Sequence, residues 1–332
     1  MNYKTDIINN TDWFDTDGNL ISAHGGGISR FQGNYYLYGP GYAKNPGGYA
    51  NFDDFLFMKN KMKGYHNSDP KTWEPIFDGF NVYASKDLVN WQYGGKAYPP
   101  PERGWNRLHA SHRPHVIYND KTRKYVMFCY YYVYYPGCFL LVLTSDNPTG
   151  PFVKHGVVEV GSENGHLGDL NVFKDDDGSA YLIYDDTSFN IRIDRLTDDY
   201  LDSLKDGVII MERKQEAPAM VNYKGKYLLA ASGVDAWNPT ETTLMTADKV
   251  MGPYACKQAI TENNTWNSQL TDMVYIEESD TVLVMFDQWF IPDKKDIDKS
   301  RYLWLPLEFD PKSGKAKVNY FKKWNPLNEN NL

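Results

Sequence analysis

The sequence has little cysteine and no long apolar run. Three cysteines occur among 332 residues and none lies in a Cys-x-x-Cys pair, so neither a disulfide framework nor a cysteine-based zinc site is indicated. No apolar segment is long enough to span a bilayer as a helix, and the segment after Met1 lacks the apolar core of a secretion signal. We therefore expect a soluble protein that is cytoplasmic, or secreted after removal of a signal peptide.

Positive charge, nucleotide motifs and helical periodicity are also scarce. A net charge of −8 and a pI of about 5.4 argue against nucleic acid or an anionic membrane as the main partner. Neither Gly-x-Gly-x-x-Gly nor a P-loop occurs, so no nucleotide cofactor is implied. Helical periodicity is confined to residues 196–206, for which we expect one or two turns at most. These absences leave the all-β class.

Aromatic residues are unusually frequent. They make up 15% of the chain, with 26 tyrosines and 9 tryptophans. Tyrosine and tryptophan favour strands, and their flat faces also form platforms for sugar rings. The composition therefore indicates both a β fold and a carbohydrate site.

One unit recurs along the chain: an apolar residue, a short polar turn and an aromatic-rich strand. The five copies are residues 31–38, 118–127, 173–184, 221–229 and 275–284. The last four are spaced by about 50 residues, a period typical of propeller blades. Shorter turns that end on an aromatic residue follow most copies, as expected for outer strands: residues 85–91, 145–152 and 247–254. Residues 40–80 resemble an inserted loop.

We therefore predict an all-β, five-bladed β-propeller with four antiparallel strands per blade. Residues 1–332 would form a single catalytic domain. The alternative, two β-sandwich domains, lacks a linker of suitable composition to divide the chain.

The third copy carries an acid that its turn does not need. Asp177-Gly178 marks a hairpin between two apolar strands, whereas Asp169 lies at the inner start of the first of these strands. In a propeller the innermost strand of each blade lines the central cavity, so residues at these strand starts converge. The segments before the five copies contain two carboxylates suited to glycoside hydrolysis, Asp169 and Glu216. A general acid must keep its proton near neutral pH, and burial of Glu216 with Asp169 as its neighbour would meet that need.

These residues resemble glycoside hydrolase family 43, five-bladed propeller enzymes that act on arabinose-, xylose- and galactose-containing polysaccharides. The most specific parts are Gly168-Asp169 before the acidic hairpin, and Glu216-Ala217-Pro218 followed by residues 223–227. The resemblance implies an exo-acting, inverting glycosidase on plant cell-wall side chains. It implies that Glu216 is the general acid and that Asp169 raises the pKa of Glu216 and orients it.

One expected residue is missing. The family's usual base is an Asp at the inner start of blade one, where this chain has Ala23-His24-Gly25-Gly26-Gly27-Ile28. That form resembles the branch with exo-β-1,3-galactanases and some arabinofuranosidases; in the galactanases the base Asp is absent and a Gln in Trp-x-Ser-Gln holds the attacking water. Trp266-Asn267-Ser268-Gln269 matches that pattern, with Asp272 as the alternative base. His112 stands where the galactanases carry a Glu before Arg-Pro, so β-1,3-galactan, arabinan and xylan all stay open as substrates.

Four further residues are candidates for substrate binding. His24 binds substrate or an ion on the propeller axis, or fixes the glycine-rich turn; His112 and Arg113 face the cavity; and Trp237 is the expected sugar platform. No cofactor is required, although the resemblance implies a structural Ca²⁺ or Na⁺ in the central channel. An oligosaccharide or polysaccharide is the expected partner. The loss of the blade-one Asp supports one alternative, a catalytically inactive carbohydrate-binding propeller; a scaffold for protein partners is another.

Overall fold

The computed structural model describes residues 3–43, 76–99, 109–133, 137–162, 167–235, 238–289 and 300–328. Within these residues, five antiparallel sheets of four strands follow one another along the chain, each in simple consecutive order. This is the predicted five-bladed propeller.

The blades divide the chain as follows, with strands in order from the innermost to the outermost. Blade one contains β2 (Gly27–Phe31), β3 (Asn34–Ala43), β4 (Ile76–Ser85) and β5 (Gln92–Tyr98). Blade two contains β6 (His109–Asn119), β7 (Lys124–Val133), β8 (Gly137–Ser145) and β9 (Val153–Val158). Blade three contains β10 (Leu170–Lys174), β11 (Ala180–Asp185), β12 (Ile191–Arg195) and β13 (Val208–Met211). Blade four contains β14 (Gln215–Tyr223), β15 (Lys226–Gly233), β16 (Thr242–Ala247) and β17 (Ala255–Ala259). Blade five contains β18 (Gln269–Ile276), β19 (Thr281–Gln288), β20 (Arg301–Phe309) and β21 (Ala316–Val318).

The ring is closed in two places. Each innermost strand contacts the innermost strand of the next blade, and β18 contacts β2 to complete the circle. A short pair, β1 (Ile7–Ile8) with β22 (Lys323–Trp324), joins the beginning of the chain to its end. The buried Asn9 side chain strengthens this junction, donating to the Trp304 carbonyl at 2.8 Å and accepting from the Trp304 N–H at 2.8 Å.

The five sequence repeats are the first hairpins of the five blades. In blade three, Phe173 pairs with Tyr181 across the turn. The loop is longer than a two-residue turn, because the Asp175 N–H donates to the Ser179 carbonyl at 2.8 Å and the loop spans residues 175–179. Gly178 sits in it at φ +84°, a conformation that L side chains rarely adopt.

Apolar faces of adjacent blades make the core. Leu228 and Ala230 of blade four pack with Leu270 and Val284 of blade five, and all four are fully buried. Burying a leucine or valine in this way contributes roughly 1.5–3 kcal/mol. Inter-blade packing thus holds the inner strand starts at fixed positions.

Helix is nearly absent from the described residues. Residues 196–206 form turns and a β-bridge without helix. The helical segment Asn263–Asn267 is left-handed, with φ between 50° and 62°. Each such residue costs about 1–2 kcal/mol, and Thr265 offsets part of this because its buried hydroxyl donates to the Thr240 carbonyl at 2.6 Å. This turn leads directly into Gln269.

Candidate active site

Three innermost strands carry a bulge at the point where they enter the central cavity. The register shifts between His112 and His115 in β6, between Glu216 and Ala219 in β14, and between Leu270 and Asp272 in β18. A bulge bends the strand and re-aims its side chains, which is why bulges cluster beside active sites.

Arg113 joins blade two to blades three and five. This buried guanidinium donates to Asp169 Oδ2 at 2.8 Å and to the Leu270 carbonyl at 3.0 Å. Its Nη2 also lies 3.4 Å from Gln269 Oε1. Arg113 therefore forms an ion pair with Asp169; substrate binding by Arg113 stays a prediction.

Glu216 lies next to this pair, across the amide of Gln269. Gln269 Nε2 donates to Glu216 Oε1 at 2.8 Å, while Gln269 Oε1 accepts the indole N–H of Trp289 at 2.9 Å. Side chains that start blades two, three, four and five, together with Trp289 from the loop after β19, therefore form one hydrogen-bonded cluster. The convergence of Asp169 and Glu216 predicted from the repeat pattern is present.

The environment of Glu216 keeps it protonated at neutral pH. Burial and the negative charge of Asp169 raise the pKa of Glu216 from 4.5 to about 8, against the lowering effect of Arg113. An acid that retains its proton at pH 7 beside a carboxylate paired with arginine can deliver that proton to a bound substrate oxygen.

Asp185, at the end of β11, is a third carboxyl group of this site. It is 3% exposed, and burial together with the charges of Asp169 and Glu216 raises the pKa of Asp185 well above its usual range. Its backbone holds the neighbouring segment: the Asp185 N–H donates to the Asp169 carbonyl at 3.1 Å and the Gly168 N–H donates to the Asp185 carbonyl at 2.8 Å. Asp185 thus fixes the backbone that carries Asp169.

Gly168 is required by this contact. A Cβ at that position would lie 2.1 Å from Asp185 Oδ2, far inside van der Waals contact. Only glycine lets the Asp185 carboxyl group pack against the chain at the residue before Asp169. This gives a physical reason for the Gly-Asp pair seen in the sequence.

Asp272 makes contacts of a different kind. Its carboxylate accepts the Ile28 N–H, the Asn171 side-chain amide and the Met273 N–H, each at 2.9 Å. Burial raises the pKa of Asp272 to about 6. It lines a cavity of about 480 Å³ to which the innermost strands of all five blades contribute, and the lining residues do not include Glu216. Its role as the alternative base stays a prediction.

The imidazole of His115 lies beside Asp272 in this cavity. Three N–H donors already occupy the Asp272 oxygens, and His115 lies with Nδ1 3.9 Å from Asp272 Oδ2. Burial and the nearby Arg113 charge lower the pKa of His115 to about 3. Within the described residues no group of three or more His, Cys, Asp or Glu side chains is arranged to hold a metal. The Ca²⁺ or Na⁺ implied by the resemblance stays a prediction.

His24 lies at the glycine-rich entry to blade one. The imidazole is 1% exposed, stacks on Tyr302 with ring centres 4.1 Å apart, and places Nδ1 3.2 Å from Asp287 Oδ1. Asp287 also accepts the Gly25 N–H, so this carboxylate fixes the turn. These contacts are structural; substrate binding by His24 stays a prediction.

His112 and Trp237 complete the predicted set. Burial and the Arg113 charge lower the pKa of His112 to about 4 despite the opposing effect of Asp169, so the imidazole is neutral at pH 7. It stacks on Tyr130, with ring centres 6.2 Å apart. Trp237 lies outside the described residues, as does most of the predicted insertion at 40–80.

Three residues that contact the site were not predicted from the sequence: Asp185, Asp287 and Trp289. Each lies at or just after the end of the second strand of a blade. The available signal in the sequence was a charged or aromatic residue at or just after the end of an apolar strand, as in residues 180–186 and 281–289. Two of the inner-strand bulges could also have been predicted from the sequence. Pro114 and Pro218 lie inside otherwise regular strands, where proline marks a bulge.

The fold and site together define a glycosidase: a five-bladed propeller with a protonated glutamic acid, an aspartate and an arginine at the inner strand starts. The sequence profile of glycosyl hydrolases family 43 matches residues 53–274, two thirds of the chain. The chain belongs to this family. Comparison with curated protein sequences gives no significant match.

Solved structures agree with this assignment. A family 43 β-1,3-galactosidase is 26% identical, with a TM-score of 0.80, 98% of this chain covered and 64% of that one. Another, with galactodeoxynojirimycin, is 28% identical, with a TM-score of 0.79 and coverage of 96% and 100%. An exo-β-1,3-galactanase variant from Phanerochaete chrysosporium with β-1,3-galactotriose is 27% identical, with a TM-score of 0.79 and coverage of 96% and 68%. The chain therefore spans 64% of the length of the first of these proteins and the full length of the second.

Within the described residues, no helix is long and apolar enough to cross a membrane.

Proposed function

We propose that this protein is an exo-acting, inverting glycosidase that releases galactose from the ends of β-1,3-galactan chains. The observation that carries the proposal is the placement of Glu216, whose pKa is raised by burial and by the charge of Asp169, beside the Asp169–Arg113 pair. The substrate is supported by the similarity to β-1,3-galactosidases and an exo-β-1,3-galactanase.

In the proposed step, Glu216 gives its proton to the glycosidic oxygen as the bond from that oxygen to the anomeric carbon breaks. A water molecule attacks the same carbon from the opposite face and releases its proton to the solvent or to a base, so the anomeric configuration inverts. Glu216 then recovers a proton from solvent. Asp169 contributes by keeping Glu216 protonated between turnovers, and Arg113 holds Asp169 in place. No redox or nucleotide cofactor enters this step.

We further propose that His112 and Arg113 form hydrogen bonds with substrate hydroxyl groups. Trp237 would stack against the face of a sugar ring. A neutral His112 offers one hydrogen-bond donor and one acceptor, in contrast to the acceptor-only carboxylate of the galactanases. This difference is the main reason to test related sugars. We also propose that Gln269 or Asp272 holds the attacking water.

Hydrolysis of β-1,3-galactan and of 4-nitrophenyl α-L-arabinofuranoside, β-D-xyloside and β-D-galactoside tests the substrate. Galactose released as the sole product from galactan supports the proposal. Preferential release from the arabinofuranoside or xyloside would overturn the substrate and leave the glycosidase. Calorimetric sugar binding without product on any substrate would favour the binding-only propeller.

A further inference from the structure

The two ends of the Gln269 amide face different partners. Its carbonyl oxygen accepts the Trp289 indole N–H at 2.9 Å and lies 3.4 Å from Arg113 Nη2. Its NH₂ group donates to Glu216 Oε1 at 2.8 Å. Indole and guanidinium groups are donors only, so both require an acceptor at this end of the amide. The orientation of the amide is therefore set by chemistry.

Trp289 is well placed to impose this orientation. It is 9% exposed, and its six-membered ring lies 3.3 Å from the point where a Cβ on Gly25 would be. It also contacts His24 edge to face, with ring centres 6.1 Å apart. A Cβ at position 25 would press on the indole, so the unusual blade-one segment lies directly against the side chain that holds Gln269.

The reverse orientation would harm an acid. If the amide turned over, its carbonyl oxygen would face Glu216. The protonated carboxyl group would then donate a hydrogen bond to that oxygen. In the observed orientation Gln269 can only donate to Glu216 and cannot draw that proton away from a substrate. Trp289 is the nearer of the two donors that hold the amide this way.

We propose that Trp289 is a positioning residue for proton donation: its indole N–H holds Gln269 as a donor to Glu216, which leaves the proton of Glu216 free for the leaving oxygen. This inference rests on the proposed function, because it assumes that Glu216 is the acid. It gives Gln269 a contact on the proton-donating side of the site, in addition to the water-holding role proposed for Gln269 or Asp272.

The test compares two substrates that differ in their need for an acid. A β-1,3-linked galactobiose has a poor leaving group and needs protonation, whereas 2,4-dinitrophenyl β-D-galactoside has a leaving group that departs without it. Trp289→Phe removes the N–H and keeps an aromatic ring. We expect kcat/KM for the disaccharide to fall by about tenfold or more and kcat/KM for the dinitrophenyl substrate to change by less than about threefold. The dinitrophenyl activity also reports that the variant is folded.

Trp324→Phe is the matched control, because Trp324 also donates one buried indole hydrogen bond, to the Trp304 carbonyl at 2.8 Å. We expect it to leave the ratio of the two substrates unchanged. Adding Trp289→Phe to Gln269→Leu should cause no further loss on the disaccharide, because the two residues act through one bond. Equal losses on both substrates, or additive losses in the double variant, would overturn the inference.

Failure of the proposed function gives a different pattern. If Glu216→Gln also shows no selective loss on the disaccharide, Glu216 is not the acid and the premise is wrong. If Glu216→Gln is selective and Trp289→Phe is not, only the role of Trp289 is wrong.

Discussion

Arg113 donates to Asp169 at 2.8 Å, a contact that joins the innermost strand of blade two to the segment before the innermost strand of blade three. The pair holds a negative charge beside Glu216 without leaving that charge uncompensated. Burial and the Asp169 charge raise the pKa of Glu216, and the Arg113 charge opposes them. The pKa of Glu216 therefore depends on opposing effects, and substitution of Asp169 or Arg113 should shift it in opposite directions.

Asp169→Asn should move the alkaline limb of the kcat/KM profile to lower pH. It removes a charge that raises the pKa of Glu216 and leaves Arg113, which lowers it. We expect a shift of roughly one pH unit or more below the wild-type limb near pH 8. Asp177→Asn, on the exposed turn of the same hairpin, is the control and should not shift it. An unchanged limb in Asp169→Asn would contradict this electrostatic account.

Relative to wild type, the free energy of unfolding of Glu216→Gln should be higher at high pH than at low pH. The pKa of Glu216 is raised in the folded protein from 4.5 to about 8, so its contribution to stability is fully present below pH 4.5 and is lost as pH rises through 8. Glutamine has no proton to lose. Relative to wild type, the variant should gain on the order of 1 kcal/mol or more between pH 5 and pH 9. Urea unfolding at both pH values measures this, and an equal difference at both would argue against a raised pKa.

Gly168→Ala should damage the site by displacing Asp185 and the backbone of Asp169. The new Cβ would lie 2.1 Å from Asp185 Oδ2, and overpacking of this kind typically costs about 1–3 kcal/mol. We expect lower thermal stability together with a fall in kcat. Gly156→Ala is the matched control, since nothing lies within 4 Å of a Cβ there. Wild-type activity and melting temperature in Gly168→Ala would show that Asp185 does not pack as described.

Asp272→Asn distinguishes a structural acid from a base. The amide would turn a donor toward one of the three N–H groups that the carboxylate now accepts, at a cost of about 1–3 kcal/mol. We expect a lower melting temperature with kcat of the folded variant reduced by less than about tenfold, because loss of a base typically costs 10²–10⁴-fold. A hundredfold fall in kcat with unchanged stability would make Asp272 the base.

The fold was predictable because its signal is periodic. Hairpins such as residues 221–229 recur along the chain with a short polar turn, and the apolar faces of their strands pack against the next blade. Once the blades are placed, the starts of the innermost strands must converge. Asp169 and Glu216 could therefore be assigned to one site from the sequence, and the structure places them there.

The finer geometry depends on features without a simple sequence period. In a regular strand, residues three apart face opposite sides, but the extra residue at Thr271 removes this rule for Gln269 and Asp272. Gln269 reaches Glu216 and Asp272 lines the cavity between the innermost strands. Trp289 reaches Gln269 from the loop after the second strand of blade five, a contact made by packing across the sheet. Asp185 similarly reaches Asp169 through paired backbone.

Proton donation by Glu216 is tested most directly by comparing Glu216→Gln with wild type on β-1,3-linked galactobiose and on 2,4-dinitrophenyl β-D-galactoside. We expect kcat to fall by about 10²–10⁴-fold on the disaccharide, with a much smaller loss on the dinitrophenyl substrate. A near-normal rate on the disaccharide would contradict the assignment of Glu216 as the acid.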